Sequence, residues 1–224
     1  MRPARPDPVT PIKSGEIASC STCPCGQAAG VRFGGRCPLV DRKRRTDETV
    51  YLEGDVVSSV WFVKRGTVVL SRAGEDGVDH PHAVRGPGTF IGLEALVRPT
   101  YADTARTTEP SVLCGISRAA VDTWFGPRGT PARMALEVTL ATGSAAPPRA
   151  AAADGTSVQR VARWLLARQD DDHHVPRAVM ASLLGMVPET LSRALARLAR
   201  AGAVDVDRKR VAVRDRAALD ELAR

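Results

Sequence analysis

The chain has 224 residues, 43% of them hydrophobic, and its 32 Lys and Arg outnumber 25 Asp and Glu for a formal net charge of +7. It can build one large core or two small ones, but it holds no run of eighteen apolar residues to span a bilayer and no apolar secretory core near its start, so a cytoplasmic location is expected. Nine aromatic residues are too few for a single-strand stacking platform, whereas the positive excess permits a partner such as double-stranded DNA.

Residues 1–19 carry four prolines (Pro3, Pro6, Pro8, Pro11) and no apolar periodicity, which reads as a flexible leader. Residues 20–48 form a glycine-rich loop with four of the five cysteines, Cys20, Cys23, Cys25 and Cys37. Where thiols stay reduced, clustered cysteines bind metal or sense redox state more often than they pair. Cys114 stands apart and, taken alone, reads as a small buried hydrophobe. From 49 to 125 short β-rich runs alternate with turn residues. Strands are expected at Val50–Glu53, Val60–Lys64, Thr67–Arg72, His82–Val84 and Val112–Ile116. Such spacing predicts an antiparallel roll or barrel, closed by a short helix over Ser117–Phe125. His80 and His82 read as solvated side chains of a hairpin.

Residues 126–155 hold a helix over Ala132–Thr142, interrupted before Pro147-Pro148, and a small-residue hinge. Residues 156–224 switch to helical period. Thr156 with Gln159 predicts a capping box, and Val158, Val161, Ala162 and Leu165 an apolar face. Asp170–His174 reads as a polar loop. A second helix spans about Arg177–Leu184, Gly185 makes a tight turn, and Pro188 opens a third helix that Gly202 ends. Val204 and Val206, then Val211 and Val213, alternate as strands around a basic turn, before a closing helix over Arg214–Arg224.

Helix, glycine turn, helix and β-hairpin make the pattern of a winged helix-turn-helix. On the third helix Glu189, Ser192 and Arg193 form one stripe near the N-terminus, with chemistry suited to base edges. Arg197 and Arg200, with Arg208, Lys209 and Arg210 of the wing, suit phosphates. The competing reading makes Glu189 and Arg193 an ordinary surface ion pair. No Ser/His/Asp set, carboxylate dyad or phosphate loop stands out, so no enzyme is expected.

The segment Leu183-Leu184-Gly185-Met186-Val187-Pro188-Glu189-Thr190-Leu191-Ser192-Arg193 resembles the recognition segment of the Crp/Fnr superfamily of bacterial transcription regulators, in its Fnr-type Glu-x-x-Ser-Arg form. The order of parts from Thr49 to the end is similar too. Val187 stands where that family usually carries a hydroxyl. The resemblance implies an α+β protein: an N-terminal antiparallel β-roll sensor domain like those that bind cyclic nucleotides, a connecting dimerisation helix over 126–155, and the C-terminal winged helix-turn-helix. It further implies a homodimer on a TTGAT-like palindrome, with RNA polymerase as protein partner.

Cyclic-nucleotide sites of the family pair Gly-Glu with Arg-Ser or Arg-Thr. Here Gly92-Leu93-Glu94 is followed by Pro99-Thr100-Tyr101-Ala102-Asp103, with an acid where the phosphate would need an arginine, so no cyclic nucleotide is expected. Cys20-Ser21-Thr22-Cys23, Cys37-Pro38-Leu39 and Val112-Leu113-Cys114-Gly115-Ile116 look like the segments that carry the Fnr 4Fe–4S cluster. The implied metal ligands are Cys20, Cys23, Cys37 and Cys114, with Cys25 as alternative. Zinc is the alternative cofactor, though two separated Cys-x-x-Cys pairs would suit it better. A cysteine-ligated zinc or thiol–disulfide module, structural or electron-transferring, whose winged helix docks protein rather than DNA is the rival function.

Overall fold

The structure, a computed structural model, describes residues 40–121, 155–168, 172–208 and 210–224. The leader, the cysteines Cys20, Cys23, Cys25 and Cys37, the helix expected over Ala132–Thr142 and Lys209 lie outside the described residues. Among those described, no helix is long and apolar enough to cross a membrane.

The first part is the expected antiparallel roll, made of eight short strands: β1 (Val40–Arg44), β2 (Thr49–Tyr51), β3 (Ser59–Arg65), β4 (Val68–Ala73), β5 (Asp79–Arg85), β6 (Phe90–Ile91), β7 (Thr104–Thr107) and β8 (Ser111–Ser117). They form two four-stranded sheets, ordered β1-β8-β3-β6 and β2-β7-β4-β5. The Val60-Trp61-Phe62-Val63 run of β3 is buried along its whole length, between β8 and β6, as a continuous apolar run requires. Around it pack Val68, Leu70, Ile91, Leu96, Leu113 and Ile116.

Two glycines are fixed by close approach. Gly66 (φ 88°) turns β3 into β4 so tightly that a Cβ would lie 2.9 Å from the Ser111 Cα. Gly115 faces Trp61 across the β8–β3 ladder, and a Cβ there would lie 2.7 Å from the indole Cζ3.

Five strands fall where the sequence places them, with ends shifted by up to three residues. β1, β6 and β7 were not anticipated. β1 has the sequence Val-Asp-Arg-Lys-Arg and lies mostly exposed at a sheet edge; only its ladder to β8 defines it. The short helix expected from Ser117 begins as a 3₁₀ turn over Arg118–Ala120.

The second part packs four helices and a small sheet. These are α1 (Ser157–Leu166), α2 (Arg177–Leu183), α3 (Pro188–Arg200) and α4 (Arg216–Ala223), with β9 (Asp172–His173), β10 (Val204–Val206) and β11 (Val211–Val213). The capping box at α1 is present: Thr156 Oγ1 accepts from the Gln159 amide, and Gln159 Oε1 accepts from the Thr156 amide at 2.8 Å. Val161, Ala162 and Leu165 of α1 meet Leu191, Leu195 and Leu198 of α3 in one core. Pro188 takes the first helical position of α3, and Gly202 (φ 73°) follows its C-cap. Part of the loop expected at Asp170–His174 is a strand, because Asp172 and His173 pair with Ala212 and Val211 as a third strand beside the wing.

The two parts touch. Val69 of β4 and Val84 of β5 belong to the core of the winged helix, and His174 Nε2 lies 3.9 Å from Glu109 Oε2. Gly115→Ala is expected to push the Trp61 ring out of register and destabilise the roll by about 1–3 kcal/mol. A lower denaturant midpoint, followed by tryptophan fluorescence, checks this.

Candidate nucleic-acid interface and sensor chemistry

Burial divides α3 into two faces. Leu191, Ala194, Leu195 and Leu198 are buried, whereas Glu189, Ser192, Arg193, Arg197 and Arg200 are all exposed. The predicted stripe is therefore presented to solvent as one surface. Ser192 Oγ donates to the Pro188 carbonyl at 2.9 Å, and Arg200 Nε to the Ala196 carbonyl at 3.4 Å. Val187, the N-cap, is 60% exposed in extended conformation and makes no side-chain cap bond.

In the wing, Asp207 closes the turn by donating its amide to the Arg210 carbonyl at 2.9 Å, and its carboxylate accepts from the Arg208 amide. An Asp205–Arg214 ion pair of 2.7 Å braces the strands, and this holds the Asp205 carboxyl below its ordinary range. Arg208 and Arg210 stand exposed at the tip.

Other arginines serve the frame. Arg163 Nε donates to the Ala223 carbonyl at 2.8 Å, Arg177 Nη2 to the Asp207 carbonyl at 3.1 Å, and Arg216 Nη2 to the Leu166 carbonyl at 3.1 Å. Arg160 Nη2 donates to the Leu184 carbonyl. Sequence pattern offered no signal for this division, because each acceptor is a distant backbone oxygen.

Of the five cysteines, Cys114 is described, on β8 and 4% exposed. It faces Asp41 of β1 across the ladder, with Phe62 of β3 on its other side. Its thiol donates to Asp41 Oδ1 at 2.8 Å, and Lys64 Nζ donates to Asp41 Oδ2 at 2.9 Å. The bond from Cys114, followed by that from Lys64, holds the Asp41 carboxyl below its ordinary value. A buried thiolate ligand needs a nearby cation to limit its cost and a route for its proton. The ionised Asp41 carboxylate beside it disfavours a Cys114 thiolate, and Lys64, paired with that carboxylate, offsets part of the charge, so the surroundings described are those of a packed, hydrogen-bonded thiol.

In the segment that aligns with cyclic-nucleotide sites, Gly92 (φ 71°) leads into a 3₁₀ turn over Leu93–Leu96. The Tyr101 ring stacks on Tyr51 with centroids 3.9 Å apart, and its hydroxyl donates to the Ser59 carbonyl at 2.8 Å. Asp103, only 7% exposed, accepts from the Tyr51 hydroxyl at 3.1 Å and lies 3.1 Å from His82 Nε2. Thus His82, read as solvated, is paired inside the roll. Glu94 Oε1 accepts from the Ala102 amide at 3.3 Å. Burial first, and the Asp103 carboxylate second, raise the Glu94 carboxyl above its ordinary value; burial likewise raises the Tyr51 phenol.

A raised carboxyl makes the folded chain hold a proton that the unfolded chain releases. Stability from this source is therefore greatest below the ordinary glutamate value and falls as pH rises through the folded one. Glu94→Gln is expected to raise the urea midpoint at pH 7, and the gain should shrink toward pH 4.

Comparison with known proteins agrees with this geometry. The family profile described as cyclic nucleotide-binding domain matches residues 41–125, and that described as Crp-like helix-turn-helix domain matches 159–222. The anaerobic regulatory protein of Pasteurella multocida is 24% identical over 83% of this chain and 73% of its own length. The fumarate and nitrate reduction regulatory protein of Escherichia coli K12 is 23% identical over 83% of this chain and 80% of its own. Among solved structures, FixK2 from Bradyrhizobium japonicum shares the fold at 24% identity and a TM-score of 0.67, over 82% of this chain and 96% of its own. A CRP-family transcriptional regulator from Thermus thermophilus does so at 26% and 0.61, over 81% and 96%. These relatives are regulators rather than enzymes. With a roll of the cyclic-nucleotide-binding type leading to a winged helix whose polar stripe faces outward, the chain belongs to the Crp/Fnr family of DNA-binding transcription regulators.

Proposed function

We propose that this regulator reports oxygen, nitric oxide or redox state through a 4Fe–4S cluster held by Cys20, Cys23, Cys37 and Cys114, with Cys25 as the alternative ligand. In this reading it acts in the cytoplasm as a homodimer on a TTGAT-like palindrome and addresses RNA polymerase.

The observation that carries the reading is the β1–β8 register. Asp41 is the direct partner of Cys114, and Cys37 precedes Asp41 by four residues, a length that extended chain spans in at most about 14 Å. That length limit supports a shared site for Cys37 and Cys114. The printed names of the relatives, anaerobic regulatory protein and fumarate and nitrate reduction regulatory protein, agree in direction.

When bound, the cluster supplies iron whose oxidation state and integrity respond to oxidants. The chain's own part is to deliver thiolates. Ligation by Cys114 would require the proton it now donates to Asp41 to leave to solvent, with Lys64 offsetting part of the negative charge that the carboxylate and thiolate would then carry together. Ligation by Cys37, ahead of β1, and by Cys114, on the neighbouring β8, would tie the cysteine segment to the roll. In a dimer, recognition helices must present to half-sites about one DNA turn apart, so whatever steadies the roll bears on DNA affinity.

A cyclic nucleotide has no place in this reading. The buried Asp103, tied to Tyr51 and His82, would set an acid against its phosphate, and the stacked tyrosines fill space beside it.

Anaerobic purification with iron, sulfide and zinc counted per chain tests the cofactor. About four iron and four sulfide are expected, lost in Cys20→Ala, Cys23→Ala, Cys37→Ala or Cys114→Ala and kept in Cys25→Ala. Zinc instead, or full metal in Cys114→Ala, would overturn the ligand set. On a TTGAT palindrome, Glu189→Ala and Arg193→Ala should each cost about 1–3 kcal/mol of binding and relax base preference. Arg208→Ala, lost from both protomers of the dimer, should lower the salt slope by about two and leave preference intact. Indifference to sequence and salt would point instead to a winged helix that docks protein.

A further inference from the structure

We propose that Arg160 is a positioning residue for DNA recognition: from α1 it fixes the turn between α2 and α3, and so the angle at which α3 meets the duplex. This rests on the reading of α3 as the recognition helix.

The turn is short and must be held by few groups. α2 has only seven residues and ends in a left-handed Gly185 (φ 57°). The Gly185 amide donates to the Ser182 carbonyl and the Met186 amide to the Ala181 carbonyl, each at 3.0 Å. That pair of bonds is the Schellman arrangement, which satisfies two of the carbonyls a helix leaves open at its end. The carbonyl of Leu184, a residue 1% exposed, lies beyond the reach of both bonds. It receives the Arg160 guanidinium. On the far side of the turn Met186 packs on the shared core but α3 begins at Val187 without a side-chain cap bond, so that side lends the turn no capping side-chain hydrogen bond. Arg160 supplies one from outside.

Its own base is rigid. Arg160 lies in the first turn of α1, its amide bonded to the Thr156 carbonyl at 3.0 Å inside the capping box. α1 packs on α3 through Val161, Leu165, Leu195 and Leu198 in the shared core. One bond therefore links the packed body of the domain to the corner from which the recognition helix departs. A planar guanidinium fixes direction as well as distance, which an ammonium does not.

Base readout depends on hydrogen-bond geometry, whereas phosphate binding depends on charge and tolerates small changes of angle. Loosening this corner should reduce discrimination and leave non-specific affinity alone. Arg163 is an internal control, because it sits one turn along α1 and makes the same kind of bond to a carbonyl, Ala223, away from the turn.

The experiment compares the full chain with Arg160→Met, Arg160→Lys and Arg163→Met. Each is titrated with a TTGAT palindrome and a scrambled duplex over a range of salt, alongside thermal unfolding. For Arg160→Met the expected result is a roughly tenfold loss on the palindrome, the scale of one charge-assisted hydrogen bond. The scrambled duplex and both salt slopes should be unchanged. Arg160→Lys should recover part of the loss, and Arg163→Met should lose thermal stability with discrimination intact. An unchanged palindrome-to-scrambled ratio in both Arg160 variants would refute the inference. A salt slope lowered by about two per dimer on both duplexes would make Arg160 a phosphate ligand and also refute it. Equal losses of discrimination in Arg163→Met would reduce the effect to general destabilisation. If Arg160→Met does not fold, the ratio for Arg160→Lys decides alone. A wild-type chain that treats both duplexes alike would refute the operator reading, and the inference with it.

Discussion

The sensor half depends on one antiparallel ladder, β1 on β8. β1 contributes almost no buried apolar surface; four of its five residues are charged, and its place is set by backbone pairing and by polar contacts of Asp41 and Arg44. That pairing nevertheless determines what stands beside Cys114. It puts a carboxylate within hydrogen-bond distance of the thiol, brings Lys64 into play through that carboxylate, and anchors the chain four residues after Cys37. Elsewhere in the roll, apolar packing and backbone pairing reinforce each other, as along β3. Here pairing is joined by polar contacts and little apolar packing, at an edge, where strands are most readily displaced.

The winged helix rests on a different constraint, the sorting of arginine. Arg163, Arg177 and Arg216 are committed to backbone carbonyls within the domain, while Arg193, Arg197 and Arg208 stand exposed on α3 and the wing. Guanidinium serves both ends because it is charged at any physiological pH and offers several donors in a fixed plane. A bond from such a group to a helix-terminal carbonyl also offsets the negative end of the helix dipole. One residue type thus stiffens the frame and supplies the surface that faces an anionic duplex.

How much of this the sequence disclosed follows the range of the interactions involved. The capping box of Thr156 and Gln159, Pro188 at the start of α3 and Gly202 past its end are local features, each decided within a few residues, and all were legible. So was the apolar face of α3, whose period is written in Leu191, Leu195 and Leu198. β1 was not, since Val-Asp-Arg-Lys-Arg shows no alternation and its partner strand lies some seventy residues on. β9 escaped for the same reason: Asp172 and His173 look like loop until the wing offers them an edge. At the candidate site, the roles of single residues could be expected while their partners could not. Nothing local ties Asp41 to Cys114, 73 positions away, or His82 to Asp103 across the roll.

The contact between the two halves has a mechanical consequence. Val69 and Val84 sit on the roll yet belong to the apolar interior of the winged helix. Swivelling the reading head away from its sensor must wet those two side chains, at about 1.5 kcal/mol or more for each one fully exposed. The joint therefore behaves as a latch with a definite release threshold and not as a free pivot. Reorienting the head relative to the roll carries at least that cost in apolar burial.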